Sequence, residues 1–204
     1  ASPNAYPIIL TAGWNWIGYV PSSSQPLGQA LAFTAEGGDY IKAQAGYAEY
    51  TSIPGVFSGW LGTTTSLDPF TGYMLKVQSN HTFNYPEGTL SRAIFNDFND
   101  FQLFDFNYNQ FEFNGTVTAK INLEDISCSE NDLLIAYDNS NQIRGYAKPI
   151  YSPVINDYVF YLMVYDNNEF GDNLTFEYYN HSMDKNYILN HNIKFEKDMI
   201  IGDS

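Results

Sequence analysis

The stretch that most constrains this chain is Gly13-Trp14-Asn15-Trp16-Ile17-Gly18-Tyr19. Successive side chains of an extended strand point to opposite faces. Trp14 and Trp16 therefore share one face with Gly18, and Asn15, Ile17 and Tyr19 share the other. An indole buries a large apolar area and needs a partner for its N–H when fully inside, and a strand glycine leaves room beside a neighbouring ring. Two indoles on one strand face are expected to lie together in the core of a small β domain. The competing reading makes Trp14, Trp16 and Trp60 an exposed aromatic platform on which sugar rings stack.

Composition extends the strand bias to the whole chain. Its 204 residues suffice for two small domains, and 17 Tyr and 15 Phe favour strands over helices. The net charge of −14 repels phosphate backbones and anionic lipids, so no nucleic-acid partner is expected. No apolar run approaches the roughly 18 residues that span a bilayer, so no membrane insertion is expected. Such a surface suits solubility, cations, or neutral polymers such as glycans. Cys128 is the single cysteine and is read as a small, partly buried residue. The start Ala1-Ser2-Pro3 fits a mature end left by a secretory signal, which points to a secreted, extracellular protein. On that route Asn80, Asn114, Asn173 and Asn180, each in an Asn-X-Ser/Thr sequon, are glycosylation candidates.

Up to Pro86 the chain reads as one Trp-rich β module. Tyr6 to Leu10 is a short strand held to an edge by Pro7. Leu27, Ala30 and Leu31 have helical spacing and predict one short helix. Strands follow at Tyr40 to Gln44, Tyr47 to Thr51, Val56 to Leu61 and Tyr73 to Val77, with a tight turn over Asp68-Pro69-Phe70-Thr71-Gly72. The pieces Gly13 to Tyr19, Leu27 with Ala30-Leu31, Gly38 to Gln44, Gly59-Trp60-Leu61-Gly62, Leu67-Asp68-Pro69 with Gly72-Tyr73-Met74, and Phe83-Asn84-Tyr85-Pro86 occur in this order. Together they resemble a β module near the C-terminal ends of large secreted and cell-surface proteins of Bacteroidetes-type and other aquatic microbes. The resemblance implies an extracellular, non-catalytic module and supplies no binding residues.

Residues 87–110 alternate aromatic residues with Asp and Asn, as in Phe104-Asp105-Phe106-Asn107-Tyr108. A flexible linker is Gly/Ser-rich, so this is expected to be an ordered aromatic and acidic connection whose rings pack between the modules or on a neighbouring molecule; the alternative is a calcium site that uses its carboxylates and amides. Residues 111–204 give about seven strands with polar turns, which predicts an antiparallel sandwich. The matching pieces Asn114-Gly115-Thr116-Val117, Asp132 with Ala136-Tyr137, Arg144-Gly145-Tyr146-Ala147, Tyr161 to Tyr165 and Leu174-Thr175-Phe176 resemble the partner that follows the Trp module in the same surface proteins. The fold class expected is all-β: two small antiparallel domains, the second an Ig-like β-sandwich, with at most one short helix in the first.

Chemistry is sparse. His81, His181 and His191 lie in no nucleophile elbow, zincin helix or Cys-His setting, and no phosphate loop is present, so no enzyme is expected. Arg144 is either an anion clamp or one half of a structural ion pair, and the acidity of the chain favours the second. Asp166, Asn168, Asp172 and Glu177 fall at positions 1, 3, 7 and 12 of a calcium-loop pattern, with Gly171 at position 6. Their flanks read as strands, so a polar hairpin turn is preferred, and no cofactor beyond that weak calcium candidate is expected. The partners expected are copies of the chain itself, in an oligomer or filament, because open sheet edges accept added strands. The candidates for that exchange are Tyr6, Ile8 and Leu10 at one end and Phe195, Met199 and Ile201 at the other. The alternative is a monomeric glycan-binding module of a secreted hydrolase or adhesin.

Overall fold

A computed structural model describes residues 7–86, 106–124 and 126–202. The chain is all-β with one short α-helix, and it divides into two compact units, Ala1–Asp100 and Phe101–Ser204.

The first unit is built on one antiparallel sheet. Its strands, in spatial order, are β2 (Gly13–Gly18), β8 (Gly72–Val77), β4 (Tyr40–Lys42), β5 (Tyr47–Ile53) and β6 (Phe57–Gly62). One face is covered by a layer of small pieces. These are the ribbon of β1 (Ile8–Leu10) with β9 (His81–Phe83), the ribbon of β3 (Gln25–Pro26) with β7 (Ser66–Leu67), and the single turn α1 (Leu27–Ala30). The core lies between the layers: Ile17, Ile41, Ala48, Tyr73, Leu75 and Val77 from the sheet meet Leu10, Leu27, Ala30, Leu31, Leu67 and Phe83. Buried Asp39 ties this layer down, accepting the N–H of Glu36 (2.9 Å) and of Gln78 (2.8 Å).

The Trp strand forms where the sequence puts it, but its faces are reversed. Ile17 and Tyr19 point into the core, while Trp14 and Trp16 point outward. Tyr19 fills the space at this edge, packing edge-to-face on Tyr85 at 5.0 Å and donating from Oη to the Ser23 carbonyl (2.9 Å). Burial, with Tyr73 and Asp68 nearby, pushes the Tyr19 hydroxyl up to about 12. Asn15, on the inner face, spends its amide on the adjoining turn: Oδ1 accepts the Thr11 N–H (3.0 Å) and Nδ2 donates to the carbonyls of Thr11 (2.8 Å) and Gly13 (2.9 Å). The covering layer sits on the Ile17 side, and the indoles face away from it.

The second unit consists of two four-stranded sheets. One runs β13 (Pro149–Ser152), β14 (Asp157–Asp166), β10 (Phe113–Ala119), β17 (Ile200–Ile201); the other runs β12 (Ile143–Ala147), β11 (Leu133–Tyr137), β15 (Phe170–Asn180), β16 (Lys185–Glu196). All pairings are antiparallel except β10 with β17. Val117, Phe160, Leu162 and Val164 of the first sheet meet Leu134, Ala136, Leu174, Phe176, Tyr178 and Phe195 of the second in one core. Gly145 of β12 abuts β14 so closely that a Cβ there would lie 2.0 Å from the Met163 carbonyl oxygen.

Residues 87–105 of the expected connection lie outside the described residues. Its last residues belong to the second unit. Phe106, Tyr108 and Phe111, around a one-turn 3-10 helix at Tyr108–Gln110, all pack on Tyr165 of β14 with ring centroids 5.8 to 6.0 Å apart.

Candidate functional site

The three tryptophans do not form one platform. Trp14 and Trp16 lie on the outer face of β2, an edge strand, whereas Trp60 lies on the inner face of β6, the opposite edge. The expectation of a buried Trp14–Trp16 pair is corrected: Trp16 is 79% exposed and Trp14 39% exposed. From that edge the outer face continues inward through aromatic residues. Trp14 meets Tyr40 edge-on at 6.1 Å, Tyr40 stacks on Tyr47 at 5.4 Å, and the Lys42 ammonium stands 5.9 Å from the Trp14 ring. Phe70, 90% exposed, stands in the turn beside the same edge, its N–H donating to the Tyr19 carbonyl (3.0 Å). Gly18 opposite Gly72 leaves bare backbone between Trp16 and that turn. Sequence reasoning marked the turn but not Phe70, whose φ of +62° lies in a region that a bulky side chain seldom occupies.

On the inner side a cleft of about 510 Å³ opens between the segment from α1 to Ala35 and the β5–β6 hairpin. Trp60 and Tyr50 are cross-strand partners in its wall, with rings 5.4 Å apart at 73°. Tyr50 Oη pairs with Ser58 Oγ at 2.9 Å, and Ser58 Oγ donates onward to Ser52 Oγ at 3.4 Å. The sequence named Trp60 but gave no sign that Phe33, Thr34 and Tyr50 would join it, because they come from two segments distant from it in the chain.

The terminal segments pair within their own units. Ile8 and Leu10 lie in β1 against β9, Leu10 is buried in the first core, and Tyr6 lies outside the described residues. Phe195 is buried in the second core, Met199 packs against that core, and Ile201 pairs with Val117. In the single chain each end therefore already has a partner strand, which it would have to leave for exchange between copies. Removing Leu10 or Phe195 from its core would cost about 2–5 kcal/mol each, on the scale of emptying a buried side-chain site.

The sequons differ in setting. Asn80 and Asn173 are exposed and Asn114 is half-buried in β10. Asn180 is not a surface site in the fold. It is only 1% exposed; Nδ2 donates to Tyr178 Oη (3.1 Å), and Oδ1 accepts from Ser182 Oγ (2.8 Å) and the Met183 N–H (3.0 Å). Beside it lies the strongest polar cluster among the described residues, one that the sequence did not reveal. Asp132, fully buried, accepts from Tyr178 Oη (2.6 Å), the His181 and Ser129 N–H groups (2.8 Å each) and Ser129 Oγ (3.0 Å). Burial alone would raise its carboxyl, but these donors outweigh burial and hold it below the ordinary carboxylate range. The neighbouring Cys128 thiol is pushed up to about 12, by burial first and Asp132 second, which favours the protonated thiol.

The calcium pattern folds as a strand, a tight turn and a strand. Asp166 ends β14 and caps the turn, accepting the Asn168 N–H at 2.8 Å, and β15 has begun by Phe170. Glu177 lies well along β15 opposite Ile135, and Asp172 is exposed. An encircling loop would gather these oxygens, whereas extended strands spread them at about 3.3 Å per residue. No group of three or more His, Cys, Asp or Glu side chains among the described residues is placed to hold a metal. Arg144 donates from Nε (3.0 Å) and Nη2 (2.7 Å) to Asp138 Oδ2, and its guanidinium lies 5.1 Å from the Phe111 ring centre. Both its charge and its flat face are thereby engaged.

One Ser-His-Glu grouping exists in the first unit and lacks triad geometry. Ser79 Oγ donates to Glu36 and stands 3.3 Å from His81 Nε2, and Glu36 lies 4.0 Å from the same nitrogen. A triad needs the carboxylate on the other imidazole nitrogen, orienting the ring toward the serine.

The chain matches no family model, no curated protein and no solved structure.

Proposed function

We propose that this is an extracellular, non-catalytic structural or adhesive protein that associates with copies of itself through open sheet edges. The observation that carries the reading is β16. It is twelve residues long, it ends its sheet, and Ile188 at its middle is 87% exposed. A long edge offers a row of backbone donors and acceptors to an added strand. The first unit has edges of its own in β2 and β6. Copies joined head-to-tail through two different edges build open filaments when the rotation does not close. Because the terminal strands are already paired, addition at an edge replaces exchange as the mode of contact. On the same reading the second unit is an Ig-like sandwich, the chain is akin to the surface modules it resembles, and the sequons at Asn80, Asn114 and Asn173 carry glycans.

Light scattering over a concentration series, beside negative-stain electron microscopy, tests the proposal. Concentration-dependent growth or regular filaments, abolished by Ile188→Lys, is the expected result. Monodisperse monomers under all conditions overturn it.

A second reading, a monomeric glycan-binding module, has its own observation: Trp14 and Trp16 stand exposed on one strand face. Glycan arrays with native protein and Trp16→Ala test it, and loss of binding in the variant is the expected result.

A further inference from the structure

The cleft on the inner side of the first unit offers a more specific chemistry than either Trp face. We infer that it binds one or two rings of a neutral saccharide, with Trp60 as the stacking surface. This inference names a site for the glycan reading distinct from the exposed Trp14–Trp16 pair, and it stands whether or not copies of the chain associate.

Three features define the ligand class. The first is charge: no Asp, Glu, Lys or Arg is among the residues that line the cleft, although the chain as a whole carries −14. A phosphate, carboxylate or ammonium would leave water there without an opposite charge to meet it. The second is the combination of ring faces and hydroxyls. Trp60 and Tyr50 stand at 73° to one another, Phe33 adds a third ring whose other face is stacked on His81, and Thr34 and Thr65 bring hydroxyls that both donate and accept. A sugar ring has the matching character, with an apolar C–H face for an indole and a rim of hydroxyls. The third is room: about 510 Å³ falls within the roughly 300–1,000 Å³ of small-molecule sites. Gly28 on α1 widens the opening, since a Cβ there meets nothing within 4 Å.

Gly28 also supplies the test. Its backbone needs no glycine conformation, it is exposed and it lines the cleft, so Gly28→Leu adds a large side chain at the rim with no clash at its Cβ. The probes are the methyl glycosides of glucose, galactose and mannose, with glucuronate as the anionic counterpart. They are followed by saturation-transfer NMR and by the indole N–H resonances of the native protein. At least one neutral glycoside is expected to bind at about millimolar strength and to shift the Trp60 indole. Gly28→Leu and Trp60→Phe are expected to weaken it roughly tenfold or more, with the Gly28→Leu melting temperature unchanged and Trp16→Ala without effect. Three results overturn the inference. One is no transfer from any neutral glycoside at about 10 mM. Another is binding that survives Gly28→Leu but is lost in Trp16→Ala, which moves the sugar to the outer face and leaves the glycan reading itself standing. The last is glucuronate binding as tightly as the neutral glycosides.

Discussion

The two units handle their aromatic residues in opposite ways. In the first, the outer face of the single sheet buries Tyr40, Lys42 and Tyr47 near its middle, yet the largest side chains of its edge strand, Trp14 and Trp16, stay exposed on that same face. In the second, the two sheets cover one another, and even the outward residues of β14 are buried: Val159, Tyr161, Met163 and Tyr165. Phe106, Tyr108 and Phe111 form the lid on Tyr165, and its hydroxyl is pushed far up, first by burial and then by Tyr108 and Tyr146. An aromatic residue in a strand is therefore not intrinsically a core residue. Whether it is buried depends on its place in the sheet as well as its face: Tyr40 and Tyr47 are buried on the face where Trp16 is exposed. All three tryptophans belong to the first unit, so indole fluorescence reports that unit alone, while tyrosine circular dichroism is weighted to the second.

The largest effect is expected at Asp132. Asp132→Ala strips the acceptor from Tyr178, Ser129 and the His181 N–H together, inside a fully buried site. A loss of about 3–5 kcal/mol is expected, the scale of a broken buried network. In urea it lowers the tyrosine transition and leaves the indole transition in place. Coincident shifts of both probes would show the units unfolding as one and break the comparison.

Leu75→Ala is the mirror experiment. Leu75 is fully buried in the first core, where β8 lies between β2 and β4. A cavity there costs about 3 kcal/mol, and it should move the indole transition while leaving in place the larger part of the tyrosine signal, which comes from the second unit.

These two sites also show what was legible in the sequence. Alternation grouped Trp14 with Trp16 and Ile17 with Tyr19 correctly, because period two is local. It did not say which pair faces the core, since that depends on β1, α1 and β9, which pack on the Ile17 side from distant parts of the chain. The short helix at Leu27–Ala30 and the strands from Leu133 and Ile143 were readable from spacing and turns. The ribbon strands β3, β7 and β9 were not, because two or three residues carry no period. Asp132 stood among the matching pieces of the second half, but its role was not legible: its partners lie up to 49 positions away, and only the fold brings them together.

Acid sharpens the contrast. Burial opposes the charge on Asp132 and Asp138, but donors outweigh it: Tyr178, His181 and Ser129 for the first, and Gln142, Ser140 and Arg144 for the second, hold both carboxyls low. A carboxyl depressed in the fold contributes stability that is present above its unfolded value, about 3.9, and lost as pH falls through the folded value. The tyrosine transition should therefore move to lower urea as pH drops below about 4, and Asp132→Ala should flatten that dependence. An unchanged slope in the variant would assign the acid sensitivity elsewhere.

The smallest effect is expected where the sequence seemed to promise the largest. Trp16 has the bulk of a core anchor, yet most of its surface is already in water. Trp16→Ala forfeits little burial, so its cost should stay within about 0.5 kcal/mol, as for ordinary surface substitutions. Iodide quenching of the native protein should fall in this variant far more than in Trp60→Phe, because Trp60 is packed partly against the core. A cost of several kcal/mol for Trp16→Ala would mean that the burial seen at Tyr40, Lys42 and Tyr47 on the outer face extends to the β2 edge. The exposed aromatic edge would then no longer distinguish the two units.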